Sequence, residues 1–267
     1  MENYIELVKY PQPMSVTGFE ALSVGEKFNL FFKEFSGSID KKLGIFSKSV
    51  HAVDYSPVQN RIGGGLLYVK NTGVEILTPE GFAPGMGNMM AHTKSVTAGI
   101  YLISSLKTEA SRLYDWLKQI IRNGRIDDTF RWTIGDFGSQ VTKAENFIRN
   151  LPNNSRSVRF NLGQVYISFD EMFDTMTTFN NQVRLIGARD VELISKELTS
   201  VYELGGLLVK KIQANDIIIG EQGIADVESV VNKFIELTNI CGAMMVMLNE
   251  LTAVFNAQIK TLSEVKQ

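Results

Sequence analysis

The chain has 267 residues and is 44% hydrophobic, enough for one large domain or two modest ones with a sizeable core. Its 27 basic and 29 acidic residues leave a net charge of -2, which creates no field to draw it to phosphate backbones or anionic lipid and argues against nucleic acid as a partner. The single cysteine, Cys241, excludes an intramolecular disulfide and fits a cytoplasmic or intracellular protein, or one held within an assembled particle.

Met1 to Tyr10 carries Glu2, Glu6 and Lys9 among its apolar positions, unlike the basic-then-apolar order of a signal peptide. Tyr4 to Tyr10 alternates loosely until Pro11 and Pro13, the pattern of a short strand or extended arm. Ser23 with Glu26 forms a capping-box pair, and Phe28, Phe32, Phe35, Ile39, Leu43, Phe46 and Val50 then predict a helix. From Ser56 to Asn88 glycine and proline exclude a long helix. Leu66 to Lys70 and Val74 to Thr78 read there as a hairpin around Asn71-Thr72-Gly73. Pro79 to Gly87 reads as an exposed loop suited to making contacts, with Phe82 and Met86 as its candidate contact residues.

A helix is predicted from Met89 to Arg122, with Val96, Ile100, Ile103, Leu106, Ala110, Leu113, Leu117 and Ile120 on one face and Asn123-Gly124 as its stop. Ile126, Phe130, Ile134, Phe137, Val141, Ala144, Ile148 and Leu151 predict the next, ending at Pro152, with Gly135 and Gly138 as points where it kinks or divides. The short connection at Asn123-Gly124 favours an antiparallel pair. Pro152 to Ser157 is the best boundary between a region 1–151 and a region 152–267, unless the two form one domain.

Ser157 to Ile167 alternates like a strand, or a hairpin around Asn161 to Gly163. Ser168 and Glu171 form another capping box, opening an apolar run from Phe169 to Ile212 of about 45 residues, roughly 65 Å as a helix. After a turn at Asn215 to Gly223, apolar or small residues recur in steps of four and three. They are Val227, Val231, Phe234, Thr238, Cys241, Met245, Leu248, Thr252, Phe255, Ile259 and Leu262, a seam of about five heptads. The last two helices are expected to pair as a long antiparallel hairpin. A second row, Val230, Leu237, Met244, Met247, Leu251 and Val254, makes the final helix apolar on more than one side and implies burial among several helices. Its most apolar window, Ile240 to Phe255, is interrupted by Asn249 and Glu250 and falls short of the ~20 apolar residues that span a bilayer, so no transmembrane helix is expected. The expected fold is therefore mainly α, a long antiparallel helical bundle or coiled-coil hairpin with a small β element.

Few residues carry a chemical signature. Asp136-Phe137-Gly138 matches a kinase metal-binding triplet without the other kinase motifs, and reads as coincidence with Phe137 in the core. Gly63 to Gly65 and Gly85-Met86-Gly87 lack the lysine and acidic partners of nucleotide-binding loops and read as turns. His51 and His92 have no ligand at zinc spacing, so no metal and no cofactor are expected. Asp127-Asp128 and Glu145 would act as acid and base only if folding brought them together; the aspartates suit a helix start. Trp116 and Trp132, with Arg112, Lys118, Arg122, Arg125 and Arg131, resemble a nucleic-acid surface, but Asp115, Asp127 and Asp128 dilute its charge and favour a packed corner. Asn153-Asn154-Ser155 is formally a glycosylation sequon.

Three functions follow. The preferred one is a non-enzymatic structural or assembly protein, self-associating or contacting other subunits, as a virion component does. Its candidate interaction residues are Met244, Met245, Met247, Leu251, Val254, Phe82 and Met86. The alternative is a membrane-active bundle of the pore-forming type, using Ile100 to Leu106 and Ile240 to Phe255. The third is an enzyme assembled from distant residues around His92.

Overall fold

A computed structural model of the chain describes residues 26, 29–30, 43–46, 50–59, 73–84, 88–135, 137–151, 157–186 and 188–264. Of these, 73% are helical, in eight helices packed on one another with a small two-stranded antiparallel sheet. In chain order they are α1 (Ser56–Gln59), β1 (Glu75–Leu77), α2 (Met89–Thr97), α3 (Ile100–Asn123), α4 (Phe137–Arg149), β2 (Arg159–Asn161), α5 (Leu162–Val165), α6 (Phe169–Val183), α7 (Ala188–Gln213) and α8 (Glu221–Glu264). Residues 26, 29–30 and 43–46 are also helical, whereas Val50, placed on the same helix face by its spacing, is not. The expected N-terminal strand, the glycines at 63–65 and the first half of the hairpin lie outside the described residues.

The apolar breadth of α8 is explained by its position. Its 44 residues extend about 66 Å, and the helix packs against α1, α2, α3, α4 and β1. Both of its apolar rows are buried, from Val227 through Met245 to Leu262 and from Leu237 through Met244 to Val254, except for the half-buried Val230 and Thr252. Met244, Met245, Met247, Leu251 and Val254, expected to offer an interaction surface, are core residues of the chain itself, and Phe82 is buried too. Met86 lies outside the described residues. By length and composition α8 is apolar enough to cross a membrane, and 61% of its apolar window is buried within the chain.

The helix expected from Met89 to Arg122 is two helices. The Asn88 side chain caps α2 by accepting from the Ala91 amide at 2.9 Å, and the chain leaves α2 through Ala98 and Gly99. A Cβ at Gly99 would stand 2.8 Å from Met244 Sδ, so the break falls where a side chain of α8 packs directly on the backbone. The predicted stop at Asn123-Gly124 is present: Gly124 adopts φ 68°, and its amide bonds Ile120 O.

The helix expected from Phe169 to Ile212 is likewise divided, into α6 and α7. The Ser168 hydroxyl caps α6 by accepting from the Glu171 amide at 3.1 Å. At its far end the amides of Leu185 and Ile186 bond the carbonyls of Gln182 and Val183, a tightening that ends the α-helix. The two breaks match: α6 packs on α2 and α7 on α3. Asn88 donates to the Glu171 carboxylate where α2 and α6 begin, and Lys107 pairs with Asp190 at 3.7 Å farther along, so the two broken rods run in the same sense. Helix α8 runs opposite to them, since Met244 meets Gly99 while Gly223 in its first turn faces Ile126, just beyond the end of α3. The last two helices are thus antiparallel, as expected, while the close packing of α7 is with α3.

Residues 125–135, predicted to be helical from Ile126 onward, are irregular, and helix resumes only at Phe137. Asp127 and Asp128 therefore start no helix. Tyr101 donates to Gln140, and the ring of Phe147 lies 6.3 Å from that of His92, so α4 does run antiparallel to α2 and α3. Strand β1 pairs with β2 in the register Glu75–Asn161, Ile76–Phe160 and Leu77–Arg159, joining residues from either side of the Pro152–Ser157 linker. Ser157 to Ile167 holds one strand and no internal hairpin. The Asn161 side chain accepts from Gly163 N and the Gln164 side chain from Asn161 N, which turns the chain into α5.

Candidate functional site

Two groups of buried and half-buried polar side chains tie separate segments together, one around the C-terminal half of α8 and one along α3; apart from them, Asn180 of α6 accepts from Val53 N at 2.7 Å and donates to Val53 O at 2.8 Å. Around α8, Glu250 Oε1 accepts from the Glu80 amide at 2.7 Å and from the Ser157 hydroxyl at 3.0 Å. One helix carboxylate thus holds both the loop after β1 and the residues leading into β2. Burial and the facing Glu250 hold the Glu80 carboxyl above the usual range, and burial does the same for Glu250. Two turns on, the Gln258 amide donates to Leu77 O at 2.6 Å and accepts from Tyr166 Oη at 2.8 Å, tying β1 and the residue after α5 to the same helix. Burial also pushes the Tyr166 phenol up.

His92 on α2 stands beside this group. Its ring packs edge-on against Phe82 at 5.9 Å and near Phe147 at 6.3 Å, and Phe82 in turn touches Phe160 at 6.4 Å. Burial among these rings pulls its pKa down to about 4, so the imidazole is neutral at physiological pH. Farther along α8, Glu236 is held above the usual carboxylate range by burial and by Glu145 of α4, which itself pairs with Arg149. Cys241 is buried on the same helix, and its thiol is pushed up.

Along α3, polar side chains hold an irregular segment in place. Glu109, fully buried, accepts through Oε1 from the amides of Thr133 at 2.8 Å and Ile134 at 3.1 Å and from the Thr133 hydroxyl. Arg112 donates to Arg131 O at 2.9 Å, Trp116 Nε1 to Asp128 O at 2.8 Å, and Asn123 to the Asp127 carboxylate at 2.7 Å. As the α3 residue number falls from 123 to 109, its partner rises from 127 to 134, so the segment runs back along the helix. Phe130 lies between Trp116 and Trp132, at ring distances of 5.6 and 4.9 Å. Between helix and segment opens a surface cleft of about 630 Å³, lined by Arg112, Asp115, Trp116, Gln119 and residues 127–131.

The remaining sequence candidates do not converge. Asp127 lies beside Asn123 and Glu145 follows Gln140, which meets Tyr101; roughly 30 Å of helix axis therefore separates the imagined acid and base. His51 is exposed, and its carbonyl accepts from Thr252 at 3.2 Å. Phe137 opens α4, while Asp136, the glycines at 85 and 87 and the sequon fall outside the described residues. Among the described residues no three His, Cys, Asp or Glu side chains gather as metal ligands. Sequence reasoning singled out His92 and the tryptophans but missed Glu80, Glu109, Glu250 and Gln258. The signal was a charged or amide residue inside an apolar helix face, as Glu109 is between Leu106 and Ala110. No known family model, curated protein or solved structure matches this chain.

Proposed function

We propose that the chain is a non-enzymatic structural or assembly protein that acts through helical-bundle self-association or contacts with other subunits, of the kind a virion particle uses. The observation that carries this reading is the use made of polar side chains: Glu250, Gln258, Glu109 and Trp116 each hold backbone or a neighbouring segment in place. They brace a frame built on a helix of 44 residues. A frame of that length with near-neutral charge suits repeated packing against other chains. Its contacts form on outer surfaces, since the methionines of α8 are enclosed. Size-exclusion chromatography with light scattering at several concentrations, together with affinity purification from the native source and intact-complex mass measurement, tests it. A complex heavier than one chain is expected; a strict monomer that recovers no partner overturns it.

A membrane-active bundle is the second reading, favoured by the apolar window of α8. It requires α8 to leave its packed surroundings. Liposome flotation and dye release would both appear on activation, and the absence of both across pH and lipid composition removes it.

A further inference from the structure

Helix α7 turns one side to α3 and the other to solvent. Val191, Ile194, Leu198, Val201 and Leu208 are buried where it packs on α3. At about 100° per residue, Glu192, Lys196, Glu203, Leu207 and Lys210 fall within a sector of about 60° on the opposite side, and all five are exposed. Acidic and basic groups alternate along this row. Among the described residues, its four charged side chains form no ion pair. Three large apolar side chains are also left wet on the same helix and its flanks: Leu207 in the row is 42% exposed, Leu185 just before α7 is 62% exposed, and Ile218 in the turn after it is 83% exposed.

The alternating charge selects the occupant. A ligand of one sign is attracted and repelled by turns along the row, which excludes a polyanion or a polycation. A second α7 laid parallel and in register would set like charge against like. Turned antiparallel about a two-fold axis level with Val201, it matches the signs instead. Glu192 and Lys210 lie equally far from that level, about 13 Å along the helix axis on either side, so each meets the other on the second copy. Lys196 stands opposite Gly206 of the second copy, where a Cβ would meet nothing within 4 Å. Glu203 of that copy is about 4.5 Å farther along the axis, within reach of the lysine, whose stem then lies beside Leu207. The same rotation brings the end carrying Leu185 next to the end carrying Ile218 of the second copy. One symmetry operation thus pairs all four charges and sets the exposed apolar side chains against the other chain.

We propose that the outer row of α7 is a self-association surface, on which a second copy of this chain lays its own α7 antiparallel about a two-fold axis at Val201, with Glu192 against Lys210 and Lys196 against Glu203. The choice of a second copy as occupant rests on the assembly reading, to which this row gives a surface. The pairs lie at the solvent edge of a single helix–helix contact, so the dimer is weak and weakens further with salt.

Sedimentation equilibrium of the full chain, from micromolar to millimolar concentration and at low and high salt, reads the dimer dissociation constant. Lys196→Glu and Glu203→Lys each set like charges together at two symmetric places and are expected to weaken the dimer at least tenfold. Thermal unfolding stays unchanged, since both side chains are exposed. Mixing the two variants restores opposite charges at both places, so a heterodimer is expected to return to within threefold of the wild-type affinity. A folding defect would not be repaired by mixing. A wild-type dimer unmoved by either reversal, or variants that fail to recover on mixing, overturns the proposal and leaves assembly to another surface. A wild type that stays monomeric at millimolar concentration also overturns it; the assembly reading falls with it only if affinity purification from the native source recovers no partner.

Discussion

The C-terminal half of α8 and the segment along α3 show two ways of keeping a chain segment in place. Helix α8 is held by burial: Phe234, Met245, Leu248 and Phe255 are enclosed, and its few polar residues reach outward to tie down its neighbours. Residues 125–135 have no regular structure, and side chains of α3 bind their backbone groups one by one. Burial is distributed over many residues and tolerates exchange, whereas the α3 ties depend on a few individual groups. A deep apolar truncation should thus destabilise the whole bundle, and loss of one tie should free one segment.

The largest effect is expected in the apolar region. Phe255 is fully buried and lies 5.2 Å from the Phe179 ring; Phe255→Ala should lower global stability by about 4 kcal/mol in denaturant melts. A loss below about 1 kcal/mol would show that burial does not hold α8.

The acid response of His92 is the next largest. Its folded pKa of about 4 lies below the ordinary 6.5, so the unfolded chain takes up the proton first as pH falls. The stability it contributes as a neutral ring is complete above pH 6.5 and is lost as pH falls toward 4, by about 3 kcal/mol. The raised carboxyls of Glu80, Glu236 and Glu250 act in the opposite sense, with stability present below the ordinary carboxylate value and lost as pH rises through their raised values. Comparing melts of the wild type and His92→Phe from pH 4 to pH 7 isolates the imidazole. The difference should favour the variant progressively toward pH 4, and a constant difference would contradict the assignment.

Glu109→Ala tests the α3 ties. Leaving the Thr133 and Ile134 amides without their acceptor should cost roughly 2 kcal/mol, and amide exchange should accelerate at 125–135 while α8 stays protected. Uniform acceleration across the chain would show that the segment is not held independently. The smallest change is Gly99→Ala, whose new Cβ meets the flexible end of Met244. It should cost about 1 kcal/mol, and pairing it with Met244→Ala should yield less than the sum of the two single losses, measured as a double-mutant cycle.

The same contrast explains what was legible in the sequence. Apolar periodicity located α8, the capping pair at Ser168 and the stop at Gly124, because each is decided by neighbouring residues. It extended helix through Gly99, through 184–186 and across Ile126 to Ile134, because contacts distant in sequence override periodicity there: Met244 at Gly99, the matched course of α2–α3 and α6–α7, and Glu109 at Thr133. The methionine cluster was correctly read as apolar on several sides, but its covering elements, α2, α3 and α4, could not be seen from α8 alone. Of the candidate cleft, the tryptophans, arginines and aspartates were visible as a mixed cluster. Their arrangement around one cleft depends on the segment running back along α3, which no local pattern encodes.

Cys241, the chain's lone thiol, is enclosed midway along α8 and kept protonated. A thiol so placed cannot react with a disulfide reagent until the helices around it part. At high reagent concentration its modification rate equals the opening rate of the bundle, and at low concentration it gives the equilibrium population of the opened form. One natural side chain thus serves as a built-in clock for how often the centre of this molecule is laid bare.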